Sequence, residues 1–93
     1  MSGNGVRMRL SELPVGAVAT VCAVAPGGEG QGRRLEEMGV IAGTTIRVER
    51  RAPMGDPTIY EVRRARLAMR RVDAALVEVE TAPVTDGAGD VAL

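Results

Sequence analysis

Apolar and polar residues alternate with period two on both sides of one short stretch, Ala52-Pro53-Met54-Gly55-Asp56-Pro57. Before it, Ile46 and Val48 fall on one face while Arg47 and Glu49 fall on the other; after it, Tyr60 and Val62 oppose Glu61 and Arg63. Such alternation across a Pro- and Gly-bearing loop predicts a hairpin of half-buried strands. Within the loop, Pro53 fixes its own φ and has no N–H to donate, and Gly55 tolerates positive φ. Asp56 is expected to bond its own backbone two residues on, and Pro57 to open the next strand where no donor is needed. The connection is longer than a two-residue turn and should project. It carries Met54 at its tip, either folded back over the end of a barrel or offered to a partner.

The rest of the chain is punctuated in the same manner. Leu10 and Leu13 bracket a short turn and can plug one end of a barrel. Val18, Val21 and Val24 recur at spacing three, which predicts a strand with a bulge near Ala19-Thr20. Residues 26–32 are rich in glycine but lack the lysine followed by Ser or Thr of a phosphate loop, so they read as a flexible connection. Residues 33–38 form a short helix with Leu35 and Met38 on one face, and Gly39 stands where a helix ends in a left-handed residue. So short a helix has to be held by docking Leu35 and Met38 onto the sheet. Gly43 turns the chain into the strand leading to the central hairpin. Leu67 and Met69, then Val77 and Val79, mark two further strands. The prediction is an all-β small barrel of about five short strands, with a short helix between the first and second. The barrel spans residues 10–80, with a flexible N-terminus over 1–9 and a disordered tail over 81–93.

Composition narrows the chemistry. The chain has 93 residues, room for one domain, and 45% of them are hydrophobic, yet Tyr60 is its one aromatic residue. The core must be aliphatic. Cys22 has no second thiol and reads as a small buried hydrophobe rather than a reactive group. No apolar run is long enough to span a bilayer, so a soluble, cytoplasmic protein is expected.

Histidine is absent, which removes the commonest general base and metal ligand. Glu36 and Glu37 are neighbours on a helix and point about 100° apart, a poor geometry for a shared metal. No enzyme, metal site or cofactor is expected. All 12 basic residues are arginines between Arg7 and Arg71, while the last five acids, Asp73, Glu78, Glu80, Asp86 and Asp90, follow with no basic residue among them. A stripe from Arg47, Arg50, Arg51, Arg63, Arg64, Arg66, Arg70 and Arg71 has the charge to track phosphates but lacks aromatic platforms for bases. Nucleic-acid binding is therefore the weaker alternative.

The series Leu35-Glu36-Glu37-Met38-Gly39, then Gly43, then Ala52-Pro53-Met54-Gly55-Asp56-Pro57, then Leu67-Ala68-Met69-Arg70 and Val77-Glu78-Val79-Glu80 resembles the ferrous iron transport protein A (FeoA) family over residues 10–80. The resemblance implies an SH3-like barrel in the cytoplasm, without enzymatic activity. It also implies binding to the cytoplasmic G-protein domain of the membrane ferrous iron transporter, ferrous iron transport protein B. Carried over by position, the partner-binding residues are Leu35, Met38, Met54, Gly55 and Asp56, with Gly39, Gly43, Pro53 and Pro57 as structural turn residues. Self-association through the same apolar surface, giving a weak homo-oligomer, is an alternative. Where many members have glycine in the turn between the last long strands, this chain has Arg64-Ala65-Arg66.

Overall fold

Strands form where alternation puts every second side chain on one face. In the computed structural model, which describes residues 5–81, the elements are β1 (Arg7–Arg9), a 3-10 turn (Leu10–Glu12), β2 (Val18–Val24), α1 (Gln31–Glu37), β3 (Thr45–Arg51), β4 (Thr58–Val62), β5 (Ala65–Met69), α2 (Arg71–Ala74) and β6 (Val77–Thr81). They build one antiparallel sheet in the order β1-β6-β2-β3-β4-β5. Its inner face buries Ala19, Val21, Ile46, Val48, Tyr60, Val62, Met69, Val77 and Val79. Leu10 and Leu13 close the core and are fully buried. The guanidinium of Arg51 fastens this plug, donating to the Leu13 carbonyl (2.9 Å) and to Thr58 Oγ1 (3.1 Å).

The sheet has one strand more than the alternation predicts. Residues 7–9, expected to be flexible, pair with β6 in the register Arg7↔Glu80, Met8↔Val79 and Arg9↔Glu78. Arg7 reinforces the pairing with contacts to Glu78 (3.7 Å) and Glu80 (3.6 Å). At the other end, Thr81 belongs to β6 rather than to a tail, and the rest of the expected tail, residues 82–93, lies outside the described residues. The irregularity in β2 falls between Val21 and Ala23, past the expected position. A second one lies between Val48 and Arg50 in β3 and sets Glu49 out of the simple alternation.

The glycine-rich stretch is a built turn, contrary to the flexible connection expected. Gly32 donates to the Pro26 carbonyl (2.9 Å), and a Cβ at Gly32 would lie 2.2 Å from the Ala25 carbonyl oxygen. Backbone meets backbone there, and only glycine fits. Gln31 Nε2 donates to Asp73 Oδ1 (2.7 Å) and so joins α1 to α2, and the helix begins two residues earlier than its charge pattern suggests. It ends in a Schellman arrangement: Val40 N–H donates to the Leu35 carbonyl (3.1 Å) and Gly39 N–H to the Glu36 carbonyl (3.0 Å). Leu35 and Val40, the apolar pair of that motif, are both buried.

Candidate functional site

The β3–β4 connection is a rigid projection. Gly55 N–H donates to the Ala52 carbonyl (2.7 Å), which makes residues 52–55 a β-turn with Pro53 at its second position. Ala52 N–H donates to the Pro57 carbonyl (3.0 Å) and closes the loop, and the Asp56-Pro57 peptide is cis. Asp56 does not bond its own turn. Its Oδ1 accepts from the backbone N–H of Arg71 (2.9 Å), the first residue of α2, because that donor has no partner within the helix. The turn is thereby tied to the β5–α2 junction, and Met54 is left 92% exposed at its tip. Beside it lies a recess of about 290 Å³ lined by Arg50, Arg51, Ala52, Pro53, Pro57 and Ile59.

The other expected contact residues are not gathered there. Leu35 is only 3% exposed and belongs to the core, so it seats α1 and offers nothing to a partner. Met38 is 43% exposed, with Ile41 near it in sequence also exposed. Gly39, next to Met38, approaches Val62 and Arg63 at the far end of the β3–β4 ladder: a Cβ there would stand 3.9 Å from Val62 Cγ1. That ladder runs from Ile46↔Val62 to Arg51↔Thr58. At about 3.3 Å per residue its length is roughly 16 Å. Met38 and Met54 therefore mark separate surfaces, because the chain leaves α1 at the start of β3 and reaches the turn at its end.

The arginine stripe is partly neutralised. Arg47 donates to Glu61 Oε1 through Nη2 (2.7 Å) and Nε (3.1 Å), and Arg66 Nε donates to Glu49 Oε1 (2.8 Å). The hydrogen bond to Glu61, together with its charge, holds the Arg47 guanidinium above its ordinary pKa. Arg51 is turned inward to Leu13, so three of the eight are engaged with protein groups. Burial pushes the Tyr60 phenol above its ordinary value. Cys22 is half-buried beside Glu80, with Sγ 4.0 Å from Oε1. No group of three or more His, Cys, Asp or Glu side chains is placed to hold a metal among the described residues, and no helix of theirs is long and apolar enough to cross a membrane.

Comparison with known proteins places this geometry. The family model for the FeoA domain matches residues 8–81. A Porphyromonas gingivalis protein, described as an Fe(2+) transport protein A/Fe(2+) transporter FeoB fusion protein, is 43% identical over 76 residues. That match takes in 78% of this chain and 8% of the fusion, so the chain spans a small part of that relative's length. The solution structure of FeoA from Chlorobium tepidum is similar at a TM-score of 0.72 and 38% identity, covering 80% of this chain and 70% of the other. The crystal structure of Stenotrophomonas maltophilia FeoA in complex with zinc, described as a prokaryotic SH3-domain protein, is similar at a TM-score of 0.69 and 35% identity, covering 77% and 88%.

Proposed function

Since the chain belongs to the FeoA family and has the SH3-like fold of that family, we propose that it is a cytoplasmic, non-enzymatic interaction module that binds the membrane ferrous iron transporter, ferrous iron transport protein B, and regulates it. The observation that carries this reading is the relative in which a matching stretch is joined to the transporter in one polypeptide. A linker keeps two surfaces at high effective concentration, which makes even a weak contact between them effective. The contact itself needs apolar anchors on the surfaces that meet.

Met54 supplies such an anchor. It is a large apolar side chain, almost wholly exposed, on a turn stiffened by Pro53, by the Gly55–Ala52 hydrogen bond and by Asp56. Burying a methionine fully contributes about 1.5 to 3 kcal/mol, and a preformed turn loses little entropy on docking. Gly55 and Asp56 hold the tip in place. The transporter's G-protein domain is the partner assigned to it, and Met38 with Ile41 offers a second, smaller apolar contact at the opposite end of the ladder.

Co-purification from a mixture of the two purified proteins tests the proposal. The chain is expected to elute with the detergent-solubilised transporter on a sizing column. Elution at its own position at every concentration tried, with nucleotide and without, would contradict it.

A further inference from the structure

The described sheet ends in two strands that pair on one side only, β1 and β5, and β5 is the longer. It pairs only with β4. The loop between them is two residues long, so Val62 and Ala65 form a hydrogen-bonded pair and the pattern alternates from there. Tyr60 and Leu67 are again hydrogen-bonded partners, whereas Glu61↔Arg66 and Ile59↔Ala68 are not. The main-chain N–H and C=O groups of Arg66 and Ala68 therefore point away from β4. Among the described residues, no hydrogen bond from another element reaches them, and both residues are exposed.

Exposed edges are ordinarily blunted by charged side chains, proline or a bulge. β5 has neither proline nor bulge over its five residues, and its register with β4 is unbroken. Its one charged side chain, Arg66, is drawn across the sheet to Glu49 (2.8 Å). Arginines flank the strand at both ends, unopposed in the turn before it and sharing a recess with Asp56 and Asp73 after it, so the turn end is the more basic. Arg63 and Arg64 stand before it, Arg70 and Arg71 after it, and none of these four side chains has an ion pair among the described residues. Arg63 (φ 52°) and Arg64 (φ 70°) both occupy left-handed backbone, where Asn and Gly are the usual residues of a two-residue turn. Non-glycine residues held in that conformation concentrate at functional positions.

We propose that the β5 edge is a strand-addition site for an extended acidic segment of a partner protein, which pairs with the main chain of Arg66 and Ala68 and sets carboxylates against Arg63, Arg64, Arg70 and Arg71. Main-chain pairing gives affinity in this mode of recognition, and the charges at either end select the segment. A second copy of this chain fits poorly. Antiparallel self-pairing that joins Arg66 of one copy to Ala68 of the other is centred on Leu67, so it opposes Arg64 to Arg70 and Arg63 to Arg71 across the junction. Like charges opposed in this way disfavour the pairing. The edge ends beside the Asp56–Arg71 contact and so continues the surface around Met54. The inference rests on the interaction-module reading but not on the identity of the transporter as partner.

The test is a nuclear magnetic resonance titration of the whole labelled chain with two synthetic ten-residue peptides, one alternating glutamate and valine, the other lysine and valine. The acidic peptide is expected to slow exchange of the Arg66 and Ala68 amides at least tenfold, and to lose affinity as salt rises; the basic peptide should do neither. Ala68→Pro removes one outward N–H without touching the β4 ladder and should abolish capture. If that variant does not fold, the double variant Arg63→Asn, Arg64→Gly, which relaxes the turn while removing two charges, should weaken capture at least fivefold. Equal capture of both peptides, shifts centred away from β5, or undiminished capture by the double variant would overturn the proposal. Concentration-dependent protection of the Arg66 and Ala68 amides without peptide would also overturn it, assigning the edge to a second copy. Peptide capture in a chain that fails to bind the transporter would contradict the transporter reading alone.

Discussion

Asp56 Oδ1 accepts a 2.9 Å hydrogen bond from the backbone N–H of Arg71, fifteen residues away, and so makes the projecting turn and the start of α2 one mechanical unit. The carboxylate takes up a helix donor that has no partner inside the helix. Losing such a bond costs about 0.5 to 2 kcal/mol. Asp56→Ala is therefore expected to lower the urea midpoint accordingly and to speed exchange of the Arg71 amide. Asp56→Asn, which keeps an oxygen acceptor, should lose less. An unchanged Arg71 exchange rate in Asp56→Ala would show that the bond does not form in solution.

Leu35 and Met38 separate in their effect on stability. Leu35 is buried against the core while Met38 stands partly in solvent. Leu35→Ala should cost about 2 to 5 kcal/mol, a large share of the stability of a domain this small. Met38→Ala should stay within about 0.5 kcal/mol, as exposed substitutions usually do. Thermal melts of the two variants beside the parent decide it.

Gly32 tests the packing of α1 against the chain that precedes it. A methyl group there would meet the Ala25 carbonyl oxygen at 2.2 Å, and backbone cannot move aside as a side-chain tip can. Gly32→Ala should destabilise by about 1 to 3 kcal/mol, the usual cost of overpacking, although alanine is the better helix former. A variant as stable as the parent in urea would mean that the loop and helix have room to separate.

Tyr60 supplies the pH dependence. Burial raises its folded-state pKa above the ordinary value of 10.0, so between those two values the folded chain holds a proton that the unfolded chain has lost. Stability from this group is complete below pH 10 and declines as the pH rises through the folded-state pKa. Tyr60→Phe should flatten the decline above pH 10. Urea midpoints at a series of alkaline pH values for both proteins measure it, and parallel curves would contradict it.

Much of this was legible in local pattern, and what was not depends on partners distant in sequence. The hairpin around Met54 shows in the sequence because alternation on each flank and the Pro and Gly residues between them are local signals. β1 has three residues, two of them exposed arginines, so nothing in it distinguishes a strand from a polar terminus until β6 lies alongside. Asp56 looks like a turn residue, and its actual acceptor role depends on α2 arriving beside it. Leu35 and Met38 share a helical spacing, but Met38 is the residue at which the helix stops, so one goes into the core and the other out. The glycines of residues 26–32 look like slack, whereas Gly32 marks a backbone contact that no sequence pattern displays. Alternation alone allows Met54 to face either the core or a partner, and its exposure decides for the surface.

The most direct test of the central claim is a calorimetric titration of the chain, as parent and as Met54→Glu, into the isolated cytoplasmic G-protein domain of its transporter, with and without guanine nucleotide. Saturable binding by the parent is expected, together with its loss in Met54→Glu while the melting temperature of that variant stays unchanged. Binding of equal strength by both proteins, or by neither in either nucleotide state, would contradict the account.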